Sequence, residues 1–219
     1  MNADEIAEGF KRINEIAMKA VSAGNYAEAA AVFLEGLALE EKLGLVTQMS
    51  ESHANIGNVY FSAGEYDEAL PHLAKAAELF QKASKSDEVI ATMLTIATIL
   101  EIKGDDAGAQ KQLDAVMRKA RNGEQRGMVF YRIACLHQKK GDPYKAQESF
   151  SRALMEMERL NRQEDILLCL LARAALFLRT GRRELASRDV ARAKSLARGK
   201  DKLTGLFQNA ASELGLDQL

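Results

Sequence analysis

A chain of 219 residues with 47% hydrophobic residues, 28% charged residues and only two prolines folds, which excludes a disordered tail. No apolar run approaches the roughly 18 residues of a membrane span, which predicts a protein that does not insert into membranes. The net charge of -1 conceals an asymmetry: residues 1–109 carry 8 Lys+Arg against 18 Asp+Glu, a net -10, and residues 110–219 carry 22 against 13, a net +9. In a repeat array sequence order becomes spatial order, so one end would be acidic and the other basic.

The opening stretch MNADEIAEGFKRI carries acids where a secretion signal needs bases. Cys135 and Cys169 fall inside helical patterns and read as reduced, small hydrophobes. Both features predict a cytoplasmic location.

From Phe10 onward the sequence repeats itself. The phrases GNYAEA, GEYDEA, GDDAGA, GDPYKA and GRRELA begin at Gly24, Gly64, Gly104, Gly141 and Gly181, at intervals of 40, 40, 37 and 40 residues. Seven positions before each glycine stands a small residue (Ala17, Gly57, Ala97, Ala134, Ala174), which permits close helix contact. Five positions after it comes Ala29, Ala69, Ala109, Ala146 or Ala186, followed four on by Phe33, Leu73, Leu113, Phe150 or Val190. Three further on are Gly36, Ala76, Val116, Ala153 and Ala193. The i, i+4, i+7 spacing is one face of a helix, and each phrase glycine is expected to end a helix in a left-handed cap before the next begins. The predicted units are 10–49, 50–89, 90–126, 127–166 and 167–200, each an antiparallel helical hairpin, with a capping helix over 201–219. Pro143 after Asp142 reads as an N1 proline behind an N-cap, Ser86 as the cap opening the third unit, and Pro71 as a bend or a lost hydrogen bond in its helix.

The segment HANIGNVYFSAGEYDEALPHLAKAAEL, with Ile56, Gly57, Tyr60, Gly64, Tyr66, Ala69, Leu73 and Ala76 on motif positions, resembles the tetratricopeptide repeat. The resemblance covers nearly the whole sequence, although the tryptophan and closing proline of that motif are absent. Units of about 40 residues are similar to those of kinesin light chains, Leu-Gly-Asn spindle adaptors and bacterial peptide-sensing regulators. The resemblance implies an all-α, right-handed superhelical solenoid of five hairpins plus the cap. The third unit departs from the pattern at Asp106 and Val116, which predicts a local change of twist.

In that family the first helices line a concave groove. Carried over position by position, the resemblance implies a groove of Lys11, Asn14 and Met18; Asn55, Asn58 and Phe61; Leu94, Thr95 and Thr98; Tyr131, Arg132 and Cys135; and Leu171, Ala175 and Arg179. An asparagine amide both donates and accepts, so Asn55 and Asn58 suit the backbone of an extended peptide. Tyr131 and Arg132 are residue types enriched at binding hot spots. A clamp for the terminal carboxylate of a partner needs cations that Asn14, Met18, Ala91 and Thr95 do not supply.

The basic run Arg182, Arg183, Arg188, Arg192, Lys194, Arg198, Lys200 and Lys202 suits an acidic partner or the acidic end of a second copy, as well as plain solvation. Nucleic acid fits it poorly, because the arginines lack interleaved aromatics. His53, His72 and His137 have no evident partner, and Cys135 and His137 at i, i+2 point to different helix faces, so no metal is expected. Gly199-Lys200 resembles the end of a phosphate loop, but Asp201 follows where Ser or Thr is required. The acidic pairs Asp105-Asp106 and Glu164-Asp165 complement helix starts. No cofactor and no catalysis are predicted. The expected function is a non-catalytic adaptor or scaffold that binds a protein or peptide in its groove. Two alternatives are a peptide-responsive regulatory sensor, disfavoured because the first unit starts by Phe10 and leaves no effector segment before it, and a self-assembling scaffold joined through its acidic and basic ends.

Overall fold

The computed structural model describes residues 3–216, with side chains from residue 6; the ends of the predicted N-terminal stretch and cap (1–2 and 217–219) lie outside the described residues. Among these there are eleven α-helices and no strand: α1 Ala3–Ser22, α2 Tyr26–Leu43, α3 Val46–Ala63, α4 Tyr66–Lys82, α5 Ser86–Ile102, α6 Asp106–Lys119, α7 Gly123–Lys139, α8 Pro143–Arg159, α9 Gln163–Arg179, α10 Arg183–Ala197 and α11 Asp201–Glu213. The protein divides into two compact units, Met1–Gln112 and Leu113–Leu219, whose boundary falls inside α6. The fold is all-α and repetitive.

Each phrase glycine does what its spacing requires. Gly24, Gly64, Gly104, Gly141 and Gly181 all have φ between +74° and +80°, a region closed to most side chains. Behind them the backbone makes the same long turn each time, with Asn25, Glu65, Asp105, Asp142 and Arg182 donating to Ala20, Tyr60, Leu100, His137 and Phe177. These bonds satisfy carbonyls that a helix end leaves bare. Gly44, Ser84, Asn161 and Gly199 take the same left-handed conformation between hairpins.

In unit 1, α1 packs on α2, α2 on α3, α3 on α4 and α4 on α5, and α3 also touches α5. This makes a row of first helices (α1, α3, α5) backed by second helices (α2, α4). The small-residue column is buried throughout: Ala17, Ala97, Ala134 and Ala174 are fully inaccessible, and Gly57 is buried with Leu73 directly against its Cα. The large column is buried as well, with Phe33, Leu73, Leu113 and Phe150 at 0–1% exposure and Val190 at 5%. Each such side chain stabilises its hairpin by about 1.5–3 kcal/mol.

The 37-residue interval has a local cause. Helix α6 has 14 residues where α4 and α8 have 17, so it ends about one turn early. First helices start at Val46, Ser86, Gly123 and Gln163, four residues before the predicted unit starts, because motif positions mark packing columns and not caps. Asp142 caps α8 by accepting from the Lys145 N–H, with Pro143 at N1. Ser86, expected to cap α5, is instead its first helical residue; Lys85 holds the N-cap without a side-chain bond. Helix α4 continues through Pro71, whose ring is exposed.

In unit 2, α7 packs on α8, α8 on α9, α9 on α10, and α11 on both α9 and α10. Its core is one continuous cluster around Phe150, Leu167, Leu170 and Leu171 that reaches Leu203 and Leu216. The capping helix α11 packs an apolar face here: Leu203 is buried, and Leu206, Phe207 and Ala210 pack half-buried on that cluster. Neither Cys169, which is buried, nor Cys135, which is half-buried, is in a disulfide.

Candidate functional site

Unit 1 presents the most open part of the expected groove. Lys11, Asn14 and Met18 lie on α1 and, with Ala7, Phe10, Glu15 and Gln48, line an open depression of about 500 Å³. Asn58 is exposed and Asn55 half-buried on α3. Phe61 is half-buried against Tyr66, with ring centroids 6.0 Å apart. The surface therefore combines apolar walls (Phe10, Met18) with amides that can donate and accept. Phe10 and Gln48 escape a projection from motif positions, because one precedes the second motif position and the other precedes its unit start.

Other expected groove residues lie elsewhere. Leu94 is 7% exposed, Leu171 is fully buried and Ala175 is 2% exposed; all three belong to the core. The sequence signal was present in the nearly unbroken apolar runs of α5 and α9, since a helix apolar all round is buried all round. Thr95 and Thr98 are half-buried and donate to the Ala91 and Leu94 carbonyls of their own helix. Tyr131 stands edge-on to Phe150 with centroids 5.8 Å apart, and burial raises its phenol pKa well above the ordinary range. Arg132 and Cys135 are half-buried, and each is held by interactions of its own. Arg179 is exposed.

The basic run divides into structural and free members. Arg182 stacks over Phe177 at 4.7 Å and donates to Gln147 at 2.5 Å. Arg192 pairs with Glu158 at 2.9 Å, Lys200 donates to Gln163 at 2.8 Å, and Lys202 pairs with Glu164 at 2.7 Å. Arg183, Arg188, Lys194 and Arg198 are exposed.

Two clusters in unit 1 depart from the expected reading. His53 and His72 do have a partner, namely each other: their Nδ1 atoms are 3.1 Å apart across α3 and α4, one donating to the other, with the Tyr60 ring tilted at 42° to His72 and 6.0 Å from it. Burial lowers both pKa values, and for His53 the neighbouring His72 and Lys75 act in the same direction against Glu41. Glu40 is buried and accepts from the Ser52 hydroxyl at 2.8 Å; burial raises its pKa, and the nearby Glu51 adds to this. The histidine sign is definite. Because the folded pKa values lie below the ordinary 6.5, the stability these groups supply is present above that pH and lost as pH falls through it. Wild-type thermal melts taken from about pH 7 to about pH 5 are expected to drop more steeply than those of a His53→Leu/His72→Leu variant; parallel curves would contradict the assignment.

Among the described residues no group of three or more His, Cys, Asp or Glu could hold a metal ion, and no helix is long and apolar enough to cross a membrane. Tetratricopeptide-repeat family models match residues 48–122 and 129–155. This chain carries tetratricopeptide-type repeats over those residues. No curated protein sequence matches it. Among solved structures, the apo form of the quorum sensor NprR from B. thuringiensis superposes with a TM-score of 0.74 at 14% identity, covering 92% of this protein and 58% of that one. NprR in complex with its cognate peptide NprX gives 0.67 at 13% identity, covering 98% and 67%. A putative kinesin light chain of P. anserina with nearly identical repeats gives 0.64 at 18% identity, covering 87% and 96%. The match thus spans little more than half of apo NprR. At these identities the likeness concerns the tetratricopeptide fold.

Proposed function

We propose that this repeat protein is a non-catalytic interaction module of the cytoplasm that holds an extended peptide segment of a partner protein across the first-helix face of unit 1. The observation that carries the reading is the open depression on α1 with Gln48 of α3, beside the accessible amides of Asn55 and Asn58. Amides at intervals along a helix can pair with peptide N–H and C=O groups whatever the peptide's side chains. Phe10 and Met18 offer an apolar seat for one of those side chains. Cys135 and Cys169, neither in a disulfide, suit a reducing compartment.

A second reading, a peptide-responsive sensor, is favoured by one observation: the fold likeness extends to NprR in complex with NprX. In that case a bound peptide changes the scattering profile of the protein, whereas a passive adaptor keeps the profile it had.

Capture of partners from a lysate tests the proposal. A protein retained by wild type and lost by a folded Asn55→Ala/Asn58→Ala variant supports the first-helix face. Equal recovery by both contradicts it.

A further inference from the structure

Two second helices present opposite charge on faces that no other helix covers. On α10 the exposed residues Arg183, Arg188 and Lys194, and Arg198 at its C-cap, have no ion-pair partner among the described residues, while Arg192 pairs with Glu158. Glu184 is the one exposed acid on that helix. Ser187, Ala191 and Ser195 follow at intervals of four, which is one surface row of a helix. The neighbouring rows carry Arg188 and Arg192 on one side and Lys194 on the other, with Arg198 just past the helix end. The exposed face thus sets small residues beside cations.

Helix α2 has the inverse pattern. Ala27, Ala31, Leu34 and Ala38 are exposed at i, i+4, i+7 and i+11, an apolar strip along one face. Glu28, Glu35 and Glu41, all exposed, border it, with Lys42 the one cation. The strip continues into an open hollow of about 300 Å³ that Tyr26, Tyr60 and Ala63 help to line. The acids of α2 reach from Glu28 to Glu41 and the free cations of α10 and its C-cap from Arg183 to Arg198, so the charged lengths match at about 20 Å each. Small residues allow close helix approach, and the flanking charges then meet in pairs.

We infer that the α10 face of one copy docks on the α2 face of a second copy of this protein. The contact joins two different patches, so it is heterologous and leaves a free α2 and a free α10 at its ends. It therefore builds closed rings or open filaments and not a simple two-fold dimer. Single exposed ion pairs contribute little, which makes the association weak, concentration-dependent and sensitive to salt.

Sedimentation equilibrium on the 219-residue protein tests this. The weight-average mass of wild type is expected to rise above 24.1 kDa with concentration. It is expected to return to that value when salt goes from about 0.1 M to about 1 M, which shortens the screening length from about 10 Å to about 3 Å. An Arg188→Glu/Lys194→Glu/Arg198→Glu variant and a Glu28→Lys/Glu35→Lys/Glu41→Lys variant, each with wild-type circular dichroism, are expected to stay monomeric alone. Their equimolar mixture regains association, because the reversed α10 of the first faces the reversed α2 of the second and the unchanged α10 of the second faces the unchanged α2 of the first. Ala191→Gln keeps every charge but adds bulk to the small-residue row, and is expected to weaken association about tenfold. A wild type that is monomeric at every concentration overturns the inference. So does a charge-reversed variant that associates like wild type, or a mixture that stays monomeric.

Discussion

Arg173→Met is expected to cost unit 2 about 3–5 kcal/mol, because it strands a buried carboxylate. Arg173 on α9 grips Asp189 on α10 with two parallel bonds, Nε to Oδ2 and Nη2 to Oδ1, both 2.8 Å. The two side chains are only 18% and 10% exposed. The guanidinium also donates to the Ser151 hydroxyl at 3.1 Å and lies over the Phe177 ring at 5.6 Å, so α8, α9 and α10 are tied at one point. Taking two charges out of water offsets much of their attraction, and the pair as a whole contributes far less than its rupture costs. The double variant Arg173→Met/Asp189→Leu should therefore recover most of the loss. Urea unfolding of the two variants separates these cases, and equal destabilisation in both would contradict this account.

Gly57→Val is expected to destabilise unit 1 by about 3 kcal/mol, at the upper end for overpacking. A Cβ at Gly57 would lie 2.6 Å from Leu73 Cγ and 3.2 Å from the Leu73 backbone nitrogen. Leu73 is fully buried between the paired helices and has no room to yield. Gly9 sits in helix α1 with open space around it, so Gly9→Ala is expected to gain about 1 kcal/mol from helix propensity alone. Opposite signs in denaturant melts would separate a packing glycine from a permissive one.

How far such features could be read from the sequence depended on their range. The hairpins were legible because their signals are local: a glycine that must take positive φ, and columns at i, i+4, i+7 that must be alternately small and large. Gly57 belongs to this class, since a small residue seven before each phrase glycine follows from close helix contact. The Arg173–Asp189 pair does not, because both residues occupy positions where a charge reads as surface and only the α9–α10 register brings them together. The His53–His72 bond likewise depends on side-chain directions across the α3–α4 hairpin. The candidate groove was legible in part. Lys11, Asn14, Met18 and Asn58 are accessible as expected, whereas Leu94 and Leu171 are buried in helices too apolar to offer a polar face, and α11 lies against α9. Motif positions carry no information about which neighbour covers a given helix.

The central claim is that the first-helix face of unit 1 holds an extended peptide through side-chain amides. Its most direct test is the dissociation constant of peptides selected from a random library on wild-type protein, measured again on a folded Asn55→Ala/Asn58→Ala variant. Two lost hydrogen bonds at about 0.5–1.5 kcal/mol each predict binding weaker by roughly 10- to 100-fold, with no change for an Arg179→Ala control in unit 2. Equal affinity in wild type and the double variant would contradict the claim.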